Sequence, residues 1–382
     1  GELNHGAECF VSIGGGCNNT GCQQVTIGGG MLNRALACDS TIGGGCNNTT
    51  TGSCAFVGGG CSLSATGDAS TIGGGDFNLV TGALNTGSGI ASVAGGGCSN
   101  TASGDCSFIG GGHDNRVSGG CGSAIVAGEC NIASSCCSFV GGGCANVASG
   151  CGSAVVGGHL NRNSGTYSSI GGGCLNFVCG NCSVIAGGET LSATADHTTI
   201  GGGCFNVVVD GGSTVAGGVS GLAKGCYSFV GGGLGARATG SQSVVVGGDT
   251  NYALANHSIV VGGDTNCSCI CGAVVVGGIS NKSSACVSII GAGCSNEICN
   301  GGTDAASAIV GGSNNTIGSC YFNNSIVGGK GSTITSAASA AFIGGGENNS
   351  SGSSNTFVGA GYGLSALATS AGVAAGRNNC SC

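Results

Sequence analysis

The sequence predicts an all-β fold, a single long parallel β-solenoid built as a flattened β-roll of 24 coils of about 15 residues. Three observations predict it. An Ile or Val recurs as an anchor, from Ile13, Ile27 and Ile42 to Val358 and Val373, and 23 of the 24 anchors are Ile or Val, with Ala94 the exception. The third residue after every anchor is Gly, from Gly16 through Gly45, Gly112, Gly173, Gly233, Gly293 and Gly346 to Gly376. Of the 23 steps between anchors 17 are 15 residues, eleven of them in a row from Ile125 to Ile290. A short fixed period over a whole chain is the mark of stacked repeats, so one solenoid domain spanning 1–382 is expected rather than several globular ones. Residues 11–295 are regular apart from an insertion near 83–90, and residues 296–382 are less regular.

Composition removes the competing classes. The chain has 88 Gly, no Pro, 6% charged residues and a hydrophobic fraction of 41%. Disorder requires low hydrophobicity and high charge, and collagen requires Gly at every third position together with Pro. No apolar run reaches the length of a transmembrane helix, and the N-terminal GELNHGAECF is not a signal peptide. The net charge of −8, with eight Lys plus Arg spread thinly, argues against nucleic acid as a partner. Twenty-nine cysteines suit an oxidising setting, which points to an extracellular, cell-surface or virion location. Their odd number leaves at least one thiol free or paired to another chain.

Numbering each coil from its anchor at zero gives the elements in order. Position −2 is Ser in 15 of 24 coils and position +6 is Asn in 18. Alternation puts −2, 0 and +2 on one side of a first strand. A second short strand fits +6 to +10, with the Asn and a small or β-branched residue at +8 facing inward. The Gly at +3 marks the exit from the first strand, where a Cβ would be penalised. The Asn column, and the Ser column with it, read as structural ladders of side chains hydrogen-bonded along the stack. With strands ~4.8 Å apart, 24 coils would give a rod of roughly 115 Å.

The interior of such a coil holds one Ile or Val and one Ala or Val, too little apolar burial to offset the ordering of 15 residues. Other contributions are therefore expected, and the outward positions of the first strand suggest one. Position −1 carries Phe56, Phe108, Phe139, Val184, Phe229, Val244, Ile259, Val274, Ile289, Phe342 and Phe357, and +1 carries Val126, Val156, Val246, Val261, Val276, Val310 and Val327. A sheet wetted on one side alternates with polar residues instead. This face is expected to be an oligomer interface between copies of the chain.

The unit S-x-Φ-G-G-G-x-x-N-x-A-x-G-x-x, matched over about Val11 to Asn379, resembles the head repeats of YadA-type trimeric autotransporter adhesins and the Gly/Asn repeats of phage and viral tail fibres. The resemblance implies a left-handed parallel β-roll, a homotrimer with the apolar strand faces meeting at the axis, and an adhesive or fibrous role. The chain departs from that family in its 15-residue period, its abundant cysteine and the lack of a coiled-coil stalk or membrane anchor.

Cysteines gather at the two turns of the coil. Eight lie at +4 (Cys17, Cys46, Cys61, Cys98, Cys144, Cys174, Cys204 and Cys294), and eleven coils carry one at +11 or +12. Like positions on neighbouring coils fall within disulfide range, giving candidate pairs Cys46–Cys61, Cys106–Cys121, Cys136–Cys151 and Cys271–Cys286. Cross-links between chains are the alternative. Cys267, Cys269 and Cys271 alternate on one side of a segment and read as disulfide or buried thiols rather than metal ligands, because no matching pair or His accompanies them.

No catalytic set, cofactor or metal site is expected. The five His fall in separate coils, the Gly triplets lack a following Lys-Ser/Thr and helix, and the stacked Asp249 and Asp264 read as a solvated edge. Thr at −1 (Thr26, Thr41, Thr71, Thr199, Thr214) is interrupted by Phe and Val, which breaks an ice-binding array. Extra residues near 83–90 and 300–305 map to turns, where a specific contact such as a surface receptor or glycan would sit. The ends show no polar cap, so end-to-end stacking into a filament, or capping by another protein, is expected. Two functions follow: a structural, disulfide-hardened, self-associating fibre or surface-filament subunit, or a trimeric adhesin or receptor-binding shaft.

Overall fold

A computed structural model describes residues 1–77, 79–80, 92–299, 306–318, 323–335 and 338–381. Those residues form a β-solenoid of parallel strands with no helix, roughly 15 residues to the turn. Its contacts cluster into two compact units, Gly1–Thr190 and Leu191–Cys382, where the sequence leads to one domain. In a solenoid each coil meets only its neighbours, so contacts alone define no single core. Both insertions singled out above, near 83–90 and 300–305, lie outside the described residues, as does Cys320.

The coil anchored at Val140 shows how sequence becomes structure in each unit. Phe139–Val140 is its first strand and Val147–Ala148 its second, each paired in parallel with the same positions one coil away. Between them Cys144 forms a single parallel bridge with Glu129 on one side and His159 on the other. The second strand is thus shorter than the expected +6 to +10, and a third column of pairing runs through +4. Val140, Ala148, Asn146 and Ser138 point inward and are buried, which is the predicted inner set.

Backbone donors mostly reach forward to the next coil, as Phe139 N does to Ser153 O (2.9 Å), Cys144 N to Gly158 O (3.0 Å) and Val147 N to Asn161 O (2.8 Å). Two donors reach back: Ala145 N to Glu129 O (2.9 Å) and Gly152 N to Cys136 O (2.8 Å). These are positions +5 and +12, the two left-handed corners of the coil, with φ of 55° and 62°. Elsewhere the same corners are occupied by Leu160, Leu175, Phe205, Tyr167, Cys182, His197 and Tyr227, all at φ between 52° and 58°. Left-handed backbone costs a non-Gly residue ~1–2 kcal/mol. The reversed hydrogen bond and the unbroken stack on both sides hold it there. Glycine is therefore not the only source of positive φ, as the repeat alone suggests.

The glycine at +3 answers to a narrower demand. Gly143 sits at φ 88°, and a Cβ there would meet Gly158 O at 2.1 Å and Asn146 Nδ2 at 2.8 Å. The same approach, 2.0–2.1 Å to the glycine carbonyl of the following coil, recurs at Gly45, Gly112, Gly173, Gly233, Gly293 and Gly346. What fills the space is the Asn. Asn146 Nδ2 donates to Gly142 O (3.0 Å) in its own coil and Gly158 O (2.8 Å) in the next, while its Oδ1 accepts from Asn161 N at 3.0 Å. The Asn column is accordingly an amide-to-backbone ladder. Direct amide–amide bonds of the expected kind occur in places, as Asn115 Nδ2 to Asn100 Oδ1 and Asn131 Nδ2 to Asn115 Oδ1, both 3.1 Å. Where Leu63 replaces the Asn, Gly60 moves to φ 120°. The Ser column mostly closes its own turn rather than running along the stack, as Ser40 Oγ does to Ala37 O (2.8 Å) and Ser138 Oγ to Ser135 O (2.8 Å). Axial bonds such as Ser138 Oγ to Ser123 Oγ (3.3 Å) are the lesser part.

Asn146→Asp replaces an NH2 that satisfies two carbonyls with a buried charge, and should cost about 3 kcal/mol. Asn146→Leu, a replacement that the coil at Leu63 already accommodates, should cost about half as much. Gly143→Ala should cost at least as much as Asn146→Asp, since the obstacle to its Cβ is backbone. Urea unfolding, with amide exchange read at residues 142–158, checks the order.

Candidate self-association and cross-linking surfaces

The outward positions of the first strand form an apolar layer on each unit. Phe56 and Phe108 are 42% exposed, Phe139 and Phe229 37%, and Val156 57%. Val184, Ile289 and Phe357 are also exposed, and Val244, Ile259, Val274 and Phe342 are half-buried. All eleven expected interface residues thus lie on the outer face. The rings of Phe342 and Phe357, one coil apart, stack with centroids 5.5 Å apart and planes 3° from parallel.

The layer carries a pairing that the separate columns do not reveal. Phe at −1 is followed at +1 by Gly in every case (Gly58, Gly110, Gly141, Gly231, Gly344 and Gly359). Every Val at +1 follows Ala, Ser, Val or Ile. The ring lies back toward the glycine, with a Cβ on Gly110 standing 3.4 Å from Phe108 Cε1, but what would exclude that Cβ is the carbonyl of the next coil, Val126 O at 2.3 Å. The same backbone approach holds where −1 is Thr, as at Gly28 and Gly43, so the glycine at +1 does not answer to the Phe alone. The signal was present in the sequence as a covariation within coils.

Cysteines occupy the turns as expected. In the unit Gly1–Thr190, the +4 column runs Cys46, Cys61, Asp76, Cys98, His113, Glu129, Cys144, His159, Cys174, each bridged in parallel to the next. Neighbouring polar groups approach one another: His113 Nδ1 lies 3.9 Å from Glu129 Oε1, Cys174 Sγ 3.7 Å from His159 Nδ1, and Cys130 Sγ 3.8 Å from Asp114 Oδ2. No group of three or more His, Cys, Asp or Glu converges on a point where a metal would sit, among the described residues. In the other unit Asp249 and Asp264 stack as expected. Each accepts from the Thr that follows it, Thr250 Oγ1 to Asp249 Oδ1 at 2.6 Å and Thr265 Oγ1 to Asp264 Oδ1 at 2.5 Å.

The eight cysteines of the candidate pairs are thiols in the structure. Cys46 and Cys61 stand directly over one another in adjacent coils. Cys121 lies in the turn between those of Cys106 and Cys136, one coil to either side. Cys136 and Cys151 occupy the +11 turns of adjacent coils, tied together by Gly152 N to Cys136 O at 2.8 Å. Cys271 and Cys286 are related in the same way through Val287 N to Cys271 O at 3.3 Å. The disulfide present among the described residues joins Cys267 and Cys269, two of the three alternating cysteines.

Partial burial, and then the nearby Cys61, push the Cys46 thiol above its ordinary value. The nearby Cys106, and then partial burial, do the same to Cys121. A raised thiol stays protonated as pH rises, so Cys46 should alkylate more slowly than an unhindered exposed cysteine at neutral pH and catch up in alkali. Cys61→Ser should bring its half-reaction pH down. Mild oxidation should link Cys46 to Cys61 within one chain, seen as a cross-linked peptide pair by mass spectrometry.

A scan of protein-family models and a search of curated proteins find no match to this chain.

Proposed function

We propose that the chain is a structural, self-associating subunit of a fibre or surface filament, in which copies bury the outer face of the first strand against one another. The observation that carries this reading is the apolar layer on the outer face of the first strand, six Phe at −1 and seven Val at +1. Apolar residues recurring coil after coil, as Phe229, Val244, Ile259, Val274 and Ile289 do at −1, exceed what a soluble monomer ordinarily presents. Three copies, the arrangement implied by the resemblance to adhesin head repeats, would present identical layers to one another. The cysteine-lined turns, outside the layer, are free to harden the assembly in an oxidising setting such as a cell or virion surface.

The intact chain is expected to sediment as an oligomer at micromolar concentration and to appear in electron micrographs as elongated multi-chain particles. Phe108→Thr with Phe139→Thr uses a residue found at the same position in Thr71, so the coil tolerates it. The double variant should weaken association by at least about 30-fold. A monomeric wild-type chain at those concentrations would overturn the reading.

A further inference from the structure

The Cys267–Cys269 disulfide lies at the edge of a cleft that the repeat does not foreshadow. Both cysteines belong to one coil, at +7 and +9, with Cα atoms 5.6 Å apart. They flank Ser268, which points into the core and donates to Ala273 O at 2.7 Å. Alternation therefore sends both sulphurs to the outer face of the second strand. One coil further, Lys282 pairs with Cys267 in the strand register, and Glu297 pairs with Lys282 in turn. Lys282 Nζ holds Glu297 Oε1 at 3.0 Å. The +9 column runs beside them as Cys269, Ser284 and Cys299. These side chains, with Ile270, line a cleft of about 450 Å³.

We propose that this cleft is a thiol–disulfide exchange site for a low-molecular-weight thiol. Its volume falls in the range that takes a small molecule. The disulfide is half-exposed and closes a ring of only three residues, the setting of a labile disulfide rather than a structural staple. Removing it releases little chain, since a loop this short contributes little to the unfolded state. In the reaction, the incoming thiolate attacks Cys269 Sγ and forms a mixed disulfide. The Cys267–Cys269 bond breaks, and its electron pair leaves on Cys267, whose strand partner one coil along is Lys282. A second small thiol then attacks the sulphur of the bound one, releasing Cys269 as a thiol and carrying away a small-molecule disulfide. Two small thiols are oxidised and one protein disulfide is reduced.

Cys299 does not resolve the intermediate. It lies two coils from Cys269, roughly 9.6 Å along the stack, beyond the span of a disulfide. Burial, then the Glu297 carboxylate, push its thiol above the ordinary value, with Lys282 opposing them. Both thiols of the reaction are supplied from outside the chain.

The test uses the intact chain with glutathione and, separately, 2-mercaptoethanol, followed by iodoacetamide and peptide mass analysis. Before any reductant Cys267 and Cys269 should resist alkylation while Cys271 and Cys286 react. After limited glutathione, the glutathione should be found on Cys269 and the alkyl group on Cys267. Lys282→Met should slow opening about tenfold with either thiol, by removing the charge that stabilises the leaving thiolate, and Lys282→Arg should keep the rate. Lys282 is 52% exposed on its side chain, so neither change disturbs the core. Alkylation of both cysteines in the unreduced chain would overturn the proposal. So would glutathione divided equally between them, or a rate indifferent to Lys282→Met.

Discussion

The bond on which most coils depend is that from the Asn amide at +6, present in 18 of 24, to the carbonyls of the glycine turn. Asn146 Nδ2 joins Gly142 O and Gly158 O, and Asn146 Oδ1 takes Asn161 N, so one side chain ties its own turn to the coil that follows. Buried and fully satisfied, such an amide sets register as well as adding stability, because a slip by one residue would leave both donor and acceptors unpaired. The glycine at +3 is the other half of the device. It is glycine because a Cβ would occupy the place of the amide and the neighbouring carbonyl. The two columns are one interaction seen from two positions.

With register held by that ladder, the apolar residues need supply only a thin interior. Most coils bury an Ile or Val and a smaller partner, as Val140 with Ala148 or Ile170 with Val178. The corners at +5 and +12 place no demand on side-chain type for the same reason. Their backbone donors are satisfied backward along the stack, so Tyr, His, Leu or Cys can stand where an isolated turn would demand Gly or Asn. The side chains at those corners project from the coil, as Tyr167 and Tyr227 do at 71% and 69% exposure.

The same geometry explains where chemistry can accumulate. A parallel stack sets every outward side chain roughly one strand spacing from the like position above and below, so any residue type that recurs becomes a column. Cysteine columns become facing thiols, Phe columns become an apolar layer, and the mixed column Cys267, Lys282, Glu297 sets an ion pair in register with a disulfide sulphur. None of these requires an irregular fold.

The sequence by itself determined the period, the two strand positions, the inward set of Ile or Val, Ala, Asn and Ser, and the outward placement of Phe56, Phe108, Phe139 and their equivalents, because a stacked repeat turns composition at a position directly into a column. It named Gly and Asn as structural but not as partners, since the contact joins residues three apart in one coil and again across coils. Only the tertiary structure decided the left-handed corners at +5 and +12, where neighbouring coils override local preference at residues as unfavourable as Leu175 and Tyr227. It also decided the fate of the cysteines. Spacing of 15 residues pointed to bonds between coils, such as Cys46–Cys61, whereas the disulfide joins Cys267 and Cys269 within one coil. The alternation of Cys267, Cys269 and Cys271 reads as disulfide or buried thiol, and only the structure shows that the first two are joined while Cys271 stays an exposed thiol, because Cys267 and Cys269 share the outer face of one strand.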